Sequence, residues 1–345
     1  MSRDEAPAFP LRDVWMIVVP VLPLIVFTVL TASLFDPAER LGFLDIARDR
    51  FVAQPQREYV HLGDMLTYYA VAAFHTLLCL SVIAVLVRWL RGLPARAARS
   101  GAVFLIVILL VLVGIGVFFG RNADTLVLVQ VGFKAPCRLL EVADLPTQLT
   151  VPGCFGGGLS RLTWLAWFPT FSGMVATAFA AAFAYAVARA PVAPEGSADR
   201  DGSLAVWREQ IEQRVRALQH GVYLLSAVLV SSTVTITQFA YLPVGLLTKD
   251  GDLAMAVSKY ATGLSTLWGA LFSVTLIATF AAPALRVFEE AYGRRGAATE
   301  SDDLEQWLHE HVFQSVKRQL GTVLSLLAPL LVGPLSNLIS SFSRF

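Results

Sequence analysis

The sequence predicts an all-α polytopic membrane protein with about six transmembrane helices and a cytosolic N-terminus. Three observations carry this: an excess of apolar over charged residues, six long uncharged runs, and an uneven distribution of Lys and Arg between those runs. Of the 345 residues, 56% are apolar and 15% charged, and the mean hydropathy is +0.62. Ordinary soluble domains are about a quarter charged. The excess needs an apolar solvent.

A spanning helix takes roughly 20 apolar residues to cross about 30 Å of hydrocarbon. Six runs qualify: Val14 to Leu34, Tyr68 to Val87, Ala102 to Phe119, Leu162 to Ala188, Val222 to Leu247 and Tyr260 to Leu285. No charged residue interrupts their cores. The first carries Pro20 and Pro23 centrally and lacks a small-residue cleavage site downstream, so it reads as a retained, kinked helix rather than a secretory signal. A transmembrane unit over 1–285 follows, with external loops near 35–66, 120–161 and 248–259 and cytosolic loops near 88–101 and 189–220. The remainder, 286–345, is expected as a cytosolic amphipathic tail that can dock on the membrane.

Orientation comes from the positive residues, which stay on the cytoplasmic side in short loops. Arg88, Arg91, Arg96 and Arg99 crowd one short link. With that link inside, the cytosolic regions hold 17 of the 27 basic residues. The plasma membrane, or an inner membrane in a bacterium, is the expected location.

Cysteines fit this orientation. Cys137 and Cys154 both fall in the second external loop, where a disulfide can form, while Cys79 lies in the second span. Such a bridge would clip a loop whose Thr125 to Phe133 and Thr147 to Val151 runs have strand-like composition. Gly156, Gly157 and Gly158 then return the chain towards Trp164 and Trp167, which suit an interfacial aromatic belt.

Two cytosolic stretches are amphipathic. Leu204, Trp207, Ile211, Val215 and Leu218 recur at helical spacing before the fifth span and form a candidate assembly face. In the tail, Leu304, Trp307, Leu308, Val312, Val316 and Leu320 line one side of a second candidate helix. Beyond it, Thr322 to Ser341 is apolar but broken by Pro329 and Pro334, which reads as short docked helices or, alternatively, as a seventh span.

Within the spans, His75 is the clear ionisable candidate, with Cys79 one turn on. Two side chains are too few for a metal site, so a hydrogen bond to a neighbouring helix is the expected role. Small residues recur on the fourth span at Ala176, Ala180, Ala184 and Ala188, which permits close helix packing. Hydroxyls and an amide mark the last two: Ser226, Thr233, Thr237 and Gln238, then Thr262, Thr266 and Ser273. They serve packing or line a polar path.

Enzyme patterns are missing from the sequence. His309 and His311 are two apart where a metalloprotease pair needs four, and the triple glycine lacks the Lys-Ser/Thr ending of a phosphate loop. No catalytic residue, cofactor or metal is expected. A net charge of +1 argues against nucleic acid. Expected partners are the lipid bilayer, further copies in a homo-oligomer or membrane complex, and a cytosolic protein on the amphipathic stripes. The leading expectation is a non-enzymatic oligomeric channel-like or membrane-effector subunit; a scaffold or signalling subunit and a solute transporter are the alternatives.

A reporter fused after Arg99 or Gly196 is expected to read cytosolic, and one placed between Asp124 and Leu149 external. The reverse pattern would overturn the orientation.

Overall fold

The computed structural model describes residues 14–34, 55–121, 161–190, 200–242, 251–293, 322 and 324–331. Six long helices account for most of them: α1 (Val14–Leu34), α2 (Pro55–Gly92), α3 (Ala95–Arg121), α4 (Arg161–Arg189), α5 (Arg200–Tyr241) and α6 (Gly251–Gly293). A short helix, α7, covers 324–331. Among the described residues there is no strand. The cysteine pair, the strand-like runs and the candidate helix from Leu304 to Leu320 lie outside the described residues.

Five helices are long and apolar enough to cross a membrane, within Gly63–Gly92, Ala95–Phe118, Phe168–Arg189, Val206–Tyr241 and Val257–Ala291. The described apolar part of α1, Val18–Val29, is shorter. Several helices overrun the loops the sequence predicts. Helix α2 begins at Pro55 inside the first expected loop, α6 begins at Gly251 inside the third, and only Leu93 and Pro94 separate α2 from α3. The reason is physical: a helix satisfies its backbone in water as well as in lipid, so it ends where the chain forces it to end. At the α2–α3 corner, Pro94 cannot continue α2, and its carbonyl accepts the Ala98 N–H at 3.0 Å to start α3.

Helix α5 has 42 residues and α6 has 43. At 1.5 Å per residue each is about 63–65 Å long, roughly twice the hydrocarbon thickness. The amphipathic stretch before the fifth span therefore continues into it without a break.

Helix α4 is the centre of the bundle. It packs against α2, α3, α5 and α6, while α1 packs on α6. Its alanines make this possible, because Ala176, Ala180, Ala184 and Ala188 are all buried in one cluster with Cys79, Leu86, Trp207, Ile211, Leu225 and Leu276. A second set, Ala178, Ala181 and Ala182, meets Phe104 and Ile108 of α3 and Met16 of α1. At Gly101 a Cβ would sit 2.8 Å from the Ala186 Cβ, so the close α3–α4 approach needs a hydrogen there. Phe104 and Tyr185 stack nearby at 4.5 Å and 15°. The remaining faces of α2 and α3 stay apolar and exposed, including Phe74, Leu77, Leu110 and Phe118. Lipid is the natural solvent for such a surface.

One ion pair ties the cytosolic-loop part of α5, as the sequence places it, to the last turns of α6. Arg214, only 6% exposed, donates from Nη1 to Glu290 Oε2 at 2.8 Å and from Nη2 to the Ala190 carbonyl beyond α4. The ends of α4 and α6 meet α5 on one guanidinium. Glu290→Ala should destabilise the protein by about 1–3 kcal/mol, because it leaves a buried cation with one partner fewer, the exposed half of the pair moderating the loss. Arg214→Met, which removes the charge but keeps the stem, should cost less. Thermal unfolding in detergent checks this, and the opposite order would show that the pair does not hold the helix ends.

Candidate functional site

Polar side chains inside the bundle fall into two groups on opposite sides of α5. The first is built around His75. Helix α2 places its ring where α4 carries Pro169, Ser172 and Gly173 and α5 carries Ser231. The Nε2 atom lies 3.1 Å from the Pro169 carbonyl oxygen and Nδ1 lies 2.7 Å from Ser231 Oγ. A carbonyl only accepts, so Nε2 carries the hydrogen. In the neutral ring Nδ1 then accepts from the Ser231 hydroxyl. The same hydroxyl has the Val228 carbonyl 2.8 Å away as its alternative acceptor.

His75 is thus hydrogen-bonded to both neighbouring helices, as the sequence leads one to expect. The Cys79 sulfur is 3.4 Å from Nε2, and Ser172 donates to the same Pro169 carbonyl at 2.8 Å. Among the described residues no third His, Cys, Asp or Glu joins this pair to make a metal-binding group. Gly173 leaves room for the ring, since a Cβ there would stand 3.3 Å from Nε2.

The second group lies on α5, α6 and α7. Thr237 and Ser265 pair across the α5–α6 seam at 2.6 Å, and the Tyr241 hydroxyl meets Thr262 at 3.2 Å. Thr233, Thr235 and Thr237 each donate to a carbonyl one turn back, as do Thr262, Thr266, Thr275 and Thr279 on α6. Back-bonding satisfies the hydroxyl inside its own helix and leaves the oxygen free to accept from a neighbour.

Ser226 and Ser273 behave differently. Ser226 donates to the Ser325 carbonyl at 2.7 Å, and Ser273 accepts the Leu330 N–H at 3.2 Å. Both partners are backbone groups of α7, four residues and one residue from Pro329. Gln238 is half-buried on α5. Of the expected polar-path residues, Thr233, Thr237, Ser226 and Ser273 are all buried within this one chain.

The expected assembly face is also covered from within. Trp207, Ile211 and Leu218 belong to the core cluster with Val187 of α4 and Val287 and Ala291 of α6, and Val215 packs beside them. Leu204 has no described side chain. The stripe's partner is thus the chain itself, because the ends of α4 and α6 extend as far as α5 does. Periodicity alone identifies an apolar face but not its occupant. What sequence reading missed is the α5–α7 contact; the signal was Pro329 four residues after a carbonyl and a serine on another helix, a pairing no spacing encodes.

A bundle that is helical throughout its packed described residues, with five helices long and apolar enough to cross a membrane, is the class this architecture defines. No family model matches the sequence, and neither the curated proteins nor the solved structures contain a significant match.

Removing one member of the His75–Ser231 pair should uncover their coupling. In a double-mutant cycle of His75→Leu and Ser231→Ala, followed by unfolding in bicelles, the interaction is expected at about 0.6–1.7 kcal/mol, the range of membrane hydrogen bonds. Additive losses would mean that the ring and the hydroxyl do not bond.

Proposed function

We propose that this chain is a non-enzymatic subunit of an integral membrane assembly, channel-like or membrane-effector in kind, with six spans, a cytosolic N-terminus and a homo-oligomeric or larger membrane complex as its working form. The plasma membrane, or the inner membrane of a bacterium, is its place. The long overrun of α5 and α6, tied at Arg214 and Glu290, forms the cytosolic lever of this assembly.

The observation that supports the reading is the proline-containing helix α7 set against hydroxyls of α5 and α6, Ser226 bonding the Ser325 carbonyl and Ser273 the Leu330 N–H. A helix carbonyl left without its donor by a proline is tolerated at membrane depth only where protein or a water-lined cavity satisfies it. Discontinuous helices near the bilayer midplane are also how transport proteins expose backbone dipoles to what they move. A polar path bordered by α5 and α6 would use the same surface.

A second reading has its own support. Thr233 and Thr237 are fully enclosed and bonded inside the chain, which is packing chemistry, and a scaffold or signalling subunit that holds a soluble partner needs nothing more. A solute carrier would need a further central binding site.

Reconstitution in liposomes separates them. Thr233→Val, Thr237→Val and Thr266→Val together remove hydroxyls at little cost in volume, so abundance and oligomeric size should hold within about twofold of wild type, membrane hydrogen bonds averaging about 0.6 kcal/mol. Conductance is expected to fall at least tenfold. Full conductance in the triple variant would remove these hydroxyls from any path, and absence of conductance in the wild type would put the scaffold first.

A further inference from the structure

We propose that α7, with Thr322 before it, is an intramembrane plug: a proline-containing helical segment that caps the hydroxyls of the α5–α6 groove and leaves it when the protein opens. This deepens the channel-like reading and rests on it.

The seat is made for this segment. A proline has no N–H, so Pro329 leaves the Ser325 carbonyl without the helical donor that position i+4 normally supplies. Inside the bundle that carbonyl would be an unsatisfied acceptor. Ser226 of α5 supplies the missing donor at 2.7 Å. One residue past the proline, the Leu330 N–H is bonded at 3.2 Å to Ser273 of α6. Two serines on two helices thus meet the two sides of one break.

Shape agrees with chemistry. A Cβ at Gly269 would collide with the Pro329 carbonyl oxygen and stand 3.1 Å from the Leu330 Cα. Only glycine lets the α7 backbone lie directly on α6. By contrast, Gly263 two turns away has nothing within 4 Å of a built Cβ. Leu326 reaches the main core cluster, and Thr322 lies 3.4 Å from the Tyr223 hydroxyl. Contacts with α5 therefore advance from Tyr223 to Ser226 as α7 advances from 322 to 325. The segment rises along α5 towards the level of Ser273 and Gly269.

Retention is weak enough for release. Helix α7 is covered on one side only: Leu324, Leu327 and Leu331 remain exposed. The hydrogen bonds that Ser226, Ser273 and Tyr223 make to it are of a kind that averages about 0.6 kcal/mol each in a membrane. Release would expose the hydroxyls of Ser226 and Ser273 in a groove where water can take the place of the α7 backbone groups they now bond. Water entering from the side that holds Tyr223 is the occupant of matching chemistry.

The test reads water access to the groove, separately from conduction. In full-length protein carrying Ser273→Cys, reconstituted in liposomes, a small water-soluble thiol reagent is applied and the labelled cysteine is identified by peptide mass mapping. Adding Gly269→Val should eject α7 and raise the labelling rate of the new thiol at least tenfold. A chain stopped after Gly321 should do the same, which guards against a merely misfolded Gly269 variant. Gly263→Val should change nothing. Joining Tyr223→Cys to Thr322→Cys with a short bifunctional thiol reagent, in the otherwise natural chain, should hold the plug and keep conductance at its resting level.

Unchanged labelling in both ejecting variants would overturn the plug, since the groove would then close or fill with lipid. Conductance that persists after cross-linking at the rate of the opened variants would also overturn it. Raised labelling without any conductance would sustain the plug as a water-admitting latch and defeat the channel-like reading instead, so the two failures are distinguishable.

Discussion

Inside hydrocarbon a polar group has no water to turn to, and the arrangement of this bundle follows from that single constraint. Each helix satisfies its own ladder, and each side-chain hydroxyl must then find an acceptor nearby. On α5 and α6 the threonines find it one turn back in their own helix. This frees the sequence to carry many hydroxyls on its last two long helices without demanding a partner for each. Exceptions stand out against that background. Ser226 and Ser273 instead serve the backbone of α7, and Ser231 stands beside the ring of His75.

Close approach is the second requirement, because lipid tails are as apolar as the core and give no hydrophobic drive to helix association. Dispersion across a tight contact must supply it. The alanines of α4 let four other helices reach its backbone, and α4 is accordingly the most enclosed of the long helices. Its neighbours α2 and α3 carry large apolar side chains on their outer faces, where tight packing is not asked for. A bundle with one small-residue axle and greasy outer helices is the result.

Polar chemistry where the first half of α5 meets the last turns of α6 obeys different rules. Arg214 is buried yet keeps its charge company with Glu290 and the Ala190 carbonyl, so the guanidinium orders three chain segments at once. Arg216 and Glu212, one turn apart on the outside of α5, form a pair that decorates the surface. Burial separates the two arginines: the first holds a junction together, the second tunes solubility at a gain of a few tenths of a kcal/mol. Motion of the outer part of α5 cannot be independent of α6 while the Arg214 junction stands.

By itself the sequence determined the class, through 56% apolar residues and long uncharged runs, since transfer to hydrocarbon depends on composition over about 20 residues and not on context. It also determined the continuous α5, whose apolar stripe runs on into the span, the packing stripe of α4, and the polar partnership of His75. Helix ends were less legible, because Pro55 to Gly63 and Gly251 to Lys259 are mixed in polarity and a helix can continue through either solvent. Only the tertiary structure decided which surfaces meet. Trp207, Ile211 and Leu218 read as a face needing a partner, in the same chain or in a neighbouring subunit, until the ends of α4 and α6 covered it. Ser226 and Ser273 read as parts of a hydroxyl stripe until α7 lay against them. Periodicity tells a residue's side of its own helix; the partner on that side depends on how separate helices are placed in space, and a proline's missing N–H becomes a binding feature only when a donor from another helix arrives within hydrogen-bond reach.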